Sequence, residues 1–497
     1  MHHRFVATVL ALSAAACPAR SAEPAARPDP AVVDRLAGEA LKRWQVPGVA
    51  VVIVRGGETV HLKGYGTKRL GADDPVTPDT LFPLASCTKA FTSALAAMLV
   101  DDGKVGWDDP VRRHLPAFHL SDPNADALVT VRDLLGHRTG VEGNDLIWYR
   151  APWGVDEVVR RIPHVPLTVP FRQYSYNSLM YMAAGRALAA RAGKPWETMV
   201  RDRICTPLGM AGVAVTSAEA EKAADRASGH RRTKAGAVEP MPAYPMPEPN
   251  PAGSLHATAR DLAAWLKFQL ADGVTAGGRR LVSAANLSET KTPQTVMRKD
   301  EAVGPIYPDS VQVSYAMGWV VYDHRGHKVV AHGGIIDGFR VQVTLLPDDK
   351  LGFALLNNLH RTKMNIALGN ALIDHLLGLE PKDWNGYFQK VEKDEADAKQ
   401  AEIDRRNRAR RPGTSPSAPL DRYAGEYRNP AYGTGKVAVR DGRLVWEWSS
   451  FRCPLEHFED DAFRVTGGYF EDELIEFAVA NGRPVALRAM GVAFERK

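Results

Sequence analysis

The chain has 497 residues, a formal net charge of +5, 45% hydrophobic residues and 24% charged residues. This length exceeds that of one ordinary domain, and the small net charge does not indicate a nucleic-acid partner. The four cysteines are too few for a disulfide framework, and the 15 histidines show no zinc-ligand spacing, so we expect neither a metal nor a cofactor.

The N-terminal segment, residues 1–22, has the features of a secretory signal peptide. A short basic segment, residues 1–4, precedes an apolar segment, residues 5–16, that is too short to span a bilayer. Small residues at positions 14–16 suit cleavage before Cys17, and the same stretch resembles a bacterial lipobox. We therefore expect a periplasmic or secreted protein, attached to a membrane only if Cys17 is lipidated.

The mature chain is predicted to begin with a helix and a hairpin. Residues 30–45 favour a helix, and residues 49–54 and 59–66 favour two strands. Gly56-Gly57 between these strands is a typical hairpin turn.

The next feature is an S-x-x-K motif formed by Ser86 and Lys89, which opens an apolar run from residue 90 to residue 100. At helical spacing the serine hydroxyl and the lysine ammonium are neighbours, and the apolar run predicts a buried helix. A serine is a weak nucleophile until a base takes its proton, and burial favours the neutral, basic form of lysine. Cys87 points away from Ser86 on such a helix and is predicted to be buried and inert.

This motif is weak by itself, because roughly two matches are expected by chance in a chain of this length. A second copy, Ser288 with Lys291, lies among polar residues and opens no apolar helix. We therefore interpret only the first copy as functional, provided that partner residues exist elsewhere.

The rest of the segment 30–380 predicts an α+β fold. Helices are favoured between residues 85 and 290, where Thr130 and Thr258 each begin a capping box closed by an aspartate. Strands are predicted at residues 316–322, 328–332, 342–346 and 352–357. Early strands, central helices and late strands indicate that the two ends share one antiparallel sheet, flanked by a helical subdomain.

A charged linker and a second domain follow. Residues 381–418 predict an exposed helix, whose basic cluster is interpreted as solvated surface rather than as a nucleic-acid site. Residues 419–497 are rich in strand signals, with hairpin turns at Asp441-Gly442 and Asn481-Gly482.

Two further motifs give Ser86 and Lys89 the partners they need: Tyr176-Asn177-Ser178 and His332-Gly333-Gly334. In this order the three motifs resemble those of the serine β-lactamase-related family, which includes class C β-lactamases, DD-peptidases and their esterase and peptidase relatives. Residues 134–140 and 251–255 fit the same pattern, and the resemblance covers residues 30–380. Residues 419–497 resemble the lipocalin-like domain that some members carry, which implies a closed or half-closed β-barrel.

The resemblance implies a role for each motif. Ser86 would be the nucleophile, and Lys89 would either take the serine proton or hold the base in place. Tyr176 would be the partner acid or base, with its pKa lowered by the Lys89 ammonium; the alternative is an ordinary core tyrosine. The backbone N–H groups of Ser86 and Ile335 would form the oxyanion hole. Gly333 and Gly334 would let the strand approach the substrate closely.

Two positions depart from the family pattern. Ser178 stands where the family has asparagine, although Tyr174-Ser175-Tyr176 is an alternative alignment. His332 stands where β-lactamases carry lysine, so the site lacks that fixed positive charge.

The resemblance implies a serine hydrolase that acts through an acyl-enzyme on a small-molecule or peptide substrate. Its departures favour esters, amides or peptides, with only weak turnover of penicillins. The alternative is a penicillin-binding sensor or a non-hydrolytic scaffold that is acylated without turnover. The oligomeric state is left open.

Overall fold

The computed structural model describes residues 29–246 and 248–497. The expected signal peptide, residues 1–22, and the candidate lipidation site Cys17 lie outside the described residues. Within these described ranges, every helix is too short or too polar to cross a membrane.

The helices precede, separate and follow the strands of the main sheet. They are α1 (Pro30–Trp44), α2 (Thr88–Asp101), α3 (Pro123–Leu128), α4 (Val131–Leu135), α5 (Val155–Arg161), α6 (Ser178–Ala192), α7 (Trp196–Val200), α8 (Ser217–Ala220), α9 (Ala259–Leu270), α10 (Ala284–Glu289), α11 (Met364–Leu377), α12 (Trp384–Ala409) and α13 (Leu420–Tyr423). Thr130 and Thr258 form the predicted capping boxes, with Asp133 and Asp261 as their partners.

The strands fall into two large sets. The segment 30–380 contributes β1 (Gly48–Arg55), β2 (Glu58–Gly66), β3 (Phe82–Pro83), β4 (His230–Arg232), β5 (Val238–Pro240), β6 (His256–Ala257), β7 (Thr295–Met297), β8 (Val313–Tyr315), β9 (Val320–His324), β10 (His327–Ile336), β11 (Phe339–Leu346) and β12 (Leu351–Asn357). The remainder contributes β13 (Gly425–Asn429), β14 (Gly433–Arg440), β15 (Arg443–Trp448), β16 (Phe451–Glu459), β17 (Ala462–Val465), β18 (Leu474–Ala480), β19 (Arg483–Ala489) and β20 (Val492–Arg496).

The expected antiparallel sheet is confirmed, with the order β2-β1-β12-β11-β10-β9-β8-β7. Strand β1 pairs with β12, which joins the two ends of the segment 30–380. Side chains of α2 and α9 pack in the core on one face of the sheet, and those of α1 and α11 pack on the other face. Because β1 is covered on both faces, its sequence is a continuous apolar run rather than an alternating one.

The single strand predicted at residues 316–322 is wrong. The chain forms β8 and β9, which pair with each other across a turn at residues 316–319. Gly318 in this turn has a φ of +83°, and a Cβ there would lie 2.9 Å from the carbonyl oxygen of Lys89. The turn therefore packs directly against the backbone at the start of α2.

The charged helix α12 is exposed along its middle and attached at both ends. Trp384, Phe388 and Val391 are buried near its start, in the core beside α1 and α11. Near its end, Arg406 donates a hydrogen bond to the carbonyl oxygen of Asp472 in the C-terminal region.

Strands β13 to β20 close into an antiparallel barrel, as expected for a lipocalin-like region. The barrel contacts the helical subdomain through a cluster of aromatic rings. The ring of Tyr149 lies 5.7 Å from that of Tyr469 and 6.5 Å from that of Phe451. The hydroxyl of Ser449 donates a hydrogen bond to the carbonyl oxygen of Arg150.

Candidate active site

Ser86 lies in a single 3-10 turn, Ala85–Cys87, that leads directly into α2. Its neighbour Lys89 is completely buried in the first turn of that helix, whereas Ser86 is partly exposed. The Lys89 Nζ atom donates a hydrogen bond of 3.1 Å to the Ser86 Oγ atom. The S-x-x-K spacing thus brings an accessible hydroxyl and a buried amine together.

When Lys89 is protonated, its ammonium has neutral acceptors for the other two protons. Nζ donates one hydrogen bond of 3.0 Å to the carbonyl oxygen of Ala252 and another of 3.4 Å to the Ser178 Oγ atom. Burial lowers the pKa of Lys89 to about 8, although the more distant Asp145 opposes this shift. At neutral pH a useful fraction of Lys89 is therefore an unprotonated base.

Tyr176 is brought to this pair by the loop that precedes α6. The N-cap residue Asn177 accepts a hydrogen bond from the Leu179 N–H and donates one of 2.8 Å to the Glu142 carbonyl oxygen. Anchored in this way, the Tyr176 ring lies 4.9 Å from Lys89 Nζ, and its hydroxyl interacts with that of Ser86.

The expected lowering of the Tyr176 pKa is wrong. Burial raises this pKa well above its ordinary value, and the hydrogen bond with Ser86 offsets only part of the effect. The ring is enclosed by His137, whose ring centroid is 4.2 Å away, and by Tyr315 at 6.2 Å. Tyr176 is therefore a neutral hydroxyl, which can relay a proton but does not persist as a phenolate.

Ser178 occupies the place that the motif order predicts for it. Its hydroxyl contacts Lys89, as described above, so the short side chain still reaches the centre of the site. Tyr174, the start of the alternative alignment, instead packs its ring 5.9 Å from that of Tyr315. The geometry favours the alignment Tyr176-Asn177-Ser178.

His332, Gly333 and Gly334 lie on β10, beside the Ser86 turn. Strand β10 pairs with β11 as far as Ile336 but with β9 only as far as Ala331. In the described chain, the segment from 332 to 336 therefore has one edge free of strand partners. An extended substrate can pair with such an edge.

The His332 ring is neutral and already engaged. Nδ1 lies 2.7 Å from the Gly333 carbonyl oxygen, and Nε2 lies 3.0 Å from the Tyr315 hydroxyl. Burial, with help from the nearby Lys89, lowers the His332 pKa to about 3. Desolvation dominates, so the imidazole stays neutral at neutral pH.

Gly334 lies against the turn that carries the nucleophile. A Cβ at this position would lie 2.2 Å from the Leu84 carbonyl oxygen and 3.2 Å from the Ala85 Cβ. Gly333 is exposed, and a Cβ there would meet nothing closer than 3.8 Å. The next residue, Ile335, is 42% exposed at the free edge of the strand.

These two glycines give a matched pair of variants. Gly334→Ala should lower the melting temperature by several degrees, because the clash forces the turn and the strand apart at a typical cost of about 1–3 kcal/mol. Gly333→Ala should melt close to wild type, since its Cβ makes only ordinary contacts. Thermal unfolding of both variants checks this, and equal melting temperatures would contradict the close approach of β10 to the turn.

Two other residues of the sequence motifs, Cys87 and Lys291, are bound in contacts that leave them no part in the reaction. Cys87 is buried, its Sγ atom lies 3.2 Å from the His332 carbonyl oxygen, and burial raises its pKa to about 12, so it is not a nucleophile. In the second S-x-x-K copy, the Lys291 Nζ atom donates hydrogen bonds to the backbone and side-chain oxygens of Gln269 rather than to the Ser288 hydroxyl.

Sequence reasoning did not assign a role to His137. It is fully buried with a φ of +51°, and its Nδ1 atom accepts a hydrogen bond from the Asn177 N–H. Its ring packs on both Tyr176 and Tyr315. It therefore positions the tyrosine loop, and the only sequence signal for it was its place in the stretch 134–140.

Comparisons with known proteins agree with this arrangement. The sequence matches the family model described as Beta-lactamase over residues 33–377 and the model of a domain of unknown function, DUF3471, over residues 409–495. The unguisins hydrolase ungD′ of Aspergillus campestris is 31% identical over 414 residues, which cover 79% of this chain and 75% of that protein.

Solved structures also resemble the chain. The octameric penicillin-binding protein homologue from Pyrococcus abyssi matches with a TM-score of 0.64 and 21% identity, covering 93% of this chain and 99% of that one, a likeness of fold alone. The D-amino acid amidase from Ochrobactrum anthropi SV3 matches with a TM-score of 0.57 and 25% identity. That match covers 70% of this chain and 97% of the amidase.

Proposed function

Because the chain belongs to the Beta-lactamase family, we propose that it is a serine hydrolase that cleaves an amide, peptide or ester through an acyl-enzyme on Ser86. The observation that carries this proposal is the 3.1 Å hydrogen bond between Ser86 Oγ and the buried amine of Lys89. The lowered pKa of Lys89, about 8, makes that amine a suitable base at neutral pH.

In this mechanism, neutral Lys89 takes the proton of Ser86 as Oγ attacks the substrate carbonyl. The Tyr176 hydroxyl then gives its proton to the leaving group and takes the proton that Lys89 holds, which returns Lys89 to the neutral amine and Tyr176 to the neutral form that its raised pKa favours. The N–H groups of Ser86 and Ile335 stabilise the oxyanion. Water attacks the acyl-enzyme in the second half of the cycle and regenerates Ser86.

The neutral charge state of His332 favours uncharged substrates over anionic β-lactams. A neutral imidazole in place of a lysine offers no fixed charge to an anionic drug. One relative is named for the hydrolysis of unguisins and another for the cleavage of D-amino acid amides. The name of the amidase supports amides ahead of β-lactams. We propose that the reaction takes place in the periplasm or outside the cell, because the sequence of residues 1–22 has the features of a secretory signal peptide.

The second candidate is a sensor that is acylated by a penicillin and then stalls. The complete set Ser86, Lys89 and Tyr176 supports acylation in either case, but it does not fix the rate of deacylation.

A substrate panel with rapid kinetics tests the proposal. Chromogenic esters, D- and L-aminoacyl amides and one cephalosporin should be assayed with wild type and with Ser86→Ala. We expect steady turnover of at least one ester or amide, and none above background in Ser86→Ala. A burst of one product equivalent without turnover on every substrate would identify the sensor instead.

The pH dependence of acylation tests the role of Lys89. Below about pH 8 the amine is protonated and cannot accept the serine proton. We expect kcat/KM on a neutral ester to fall roughly tenfold per pH unit below that pKa and to level off above it. Because His332 stays neutral, the profile of His332→Asn should keep the same inflection. An inflection near pH 6.5 that disappears in His332→Asn would contradict this assignment.

A further inference from the structure

The free edge of β10, residues 332–336, is held in place by contacts at its two ends. In the described part of the chain this edge has no strand partner on the side where β9 stops. Near one end, Gly334 packs against the turn that carries Ser86. At the other end, Asp337 begins the turn into β11. Ile335, whose N–H is the proposed oxyanion donor, lies between these two contacts, so its position depends on both of them.

The Asp337 carboxylate is bound by two consecutive residues of the loop before α5. Asp337 is almost completely buried, and its Oδ1 atom accepts a hydrogen bond from the Tyr149 hydroxyl. Its Oδ2 atom accepts one of 2.7 Å from the Arg150 guanidinium, which also donates 3.0 Å to the Tyr149 hydroxyl. Because both carboxylate oxygens are engaged and one bond is charge-assisted, the position of Asp337 is closely defined. The helical subdomain is thereby joined to the end of β10.

The barrel holds the backbone of Arg150. This residue has a φ of +56°, a left-handed conformation that is uncommon for any residue except glycine. Its carbonyl oxygen accepts hydrogen bonds from the hydroxyls of Ser449 and Ser450, in the turn between β15 and β16. Such a conformation persists only where the surroundings define it, and here the barrel supplies part of those surroundings.

Aromatic packing connects the same three parts of the molecule. The Tyr149 ring lies 5.1 Å from that of Tyr244, in the proline-rich loop, and 5.7 Å from that of Tyr469 in the barrel. The Arg150 guanidinium lies over the rings of Tyr149 and Tyr244, at 5.4 and 5.5 Å. A close-packed cluster of this kind transmits a displacement of one member to the others.

We propose that Arg150 is a positioning residue, which holds the free edge of β10 at its working distance from Ser86 by binding Asp337. The barrel sets the place of Arg150 through the hydroxyls of Ser449 and Ser450. The inference rests on the function proposed above and adds to it a role of the C-terminal barrel in the reaction.

The expected effect is on the chemical steps rather than on substrate binding. An oxyanion donor acts mainly in the transition state, and a misplacement of about 1 Å can cost about 10²-fold in rate. Arg150→Gln and Asp337→Asn should therefore each lower kcat by about 10- to 100-fold, while KM stays near wild type. The factor should be the same for esters with a small or a large acyl group, because every substrate forms the same oxyanion.

Kinetics of these variants, divided by the number of active sites, test the proposal. The endpoint of fluorophosphonate labelling counts the folded sites, so loss of folded protein does not lower the measured kcat. The double variant Arg150→Gln/Asp337→Asn should lose no more than either single variant, since both break one contact. Arg150→Lys should recover part of kcat, because it keeps the charge but loses the planar fork.

The contribution of the barrel has a matched control in the chain. Ser449→Ala/Ser450→Ala removes both hydroxyls from the Arg150 carbonyl oxygen and should lower kcat severalfold, again with KM near wild type. Lys234→Gln breaks a different link to the barrel, the ion pairs of Lys234 with Glu471 and Asp472 at 3.0 Å. This control should keep the wild-type kcat.

Three results would overturn the inference while the hydrolase stands. A loss that varies with the acyl group, or that appears as a raised KM, would make Arg150 a substrate contact. A lowered melting temperature with wild-type kcat per labelled site would make the bridge to Asp337 purely structural. An equal loss in Lys234→Gln would assign the effect to docking of the barrel in general. If wild type is not labelled on Ser86 at all, the proposed function fails, and the inference fails with it.

Discussion

Ser86→Ala should lose all covalent labelling by a fluorophosphonate or a fluorescent penicillin, and its kcat/KM should fall by at least about 10⁴-fold, as for other serine nucleophiles. The reason is that Ser86 Oγ is the hydroxyl that the buried Lys89 amine contacts, at 3.1 Å. The substitution removes one partly exposed oxygen, so the melting temperature should stay near that of wild type.

The chain contains its own control for this experiment. Ser288→Ala alters the second S-x-x-K copy, whose lysine bonds to Gln269 instead. It should label and turn over like wild type. Labelling that survives in Ser86→Ala and disappears in Ser288→Ala would refute the assignment of the nucleophile.

Lys89 and Tyr176 should behave as one proton-transfer unit. Lys89→Ala, Tyr176→Phe and the double variant should each lose at least about 10²-fold in kcat/KM, and the two single losses should not add. The physical reason is that both groups contact Ser86, so removing either one already breaks the path of the proton.

A double-mutant cycle on a slow amide substrate measures this coupling. Thermal unfolding of each variant controls for damage to the fold, since Lys89 and Tyr176 both lie in tightly packed surroundings. Wild-type rates in Tyr176→Phe would make the tyrosine a structural residue.

The positions of the main helices and strands were predictable, because the local sequence pattern of each segment favours the same structure that the tertiary fold requires of it. The apolar run after Lys89 is a helix buried on every side, and Gly56 and Gly57, with φ of +57° and +85°, form the predicted hairpin turn. The alternating strands of the C-terminal region close into a barrel. Motif order identified Ser86, Lys89 and Tyr176 as neighbours, and the fold brings them together.

The errors arose where long-range contacts decide the outcome. Residues 316–319 turn because Gly318 packs against the backbone of α2, which strand periodicity does not reveal. The pKa of Tyr176 depends on burial by His137 and Tyr315, residues far away in sequence. Arg150 and Asp337 are 187 residues apart in the chain, and only the three-dimensional arrangement shows that they are in contact.

The most direct test of the account is to locate the covalent adduct on the wild-type protein. A slow acyl donor or a fluorophosphonate is allowed to react, the protein is digested, and the modified peptide is sequenced by mass spectrometry. The account predicts one adduct per chain, on Ser86. An adduct on Cys87, Ser178 or Ser288, with Ser86 unmodified, would contradict it.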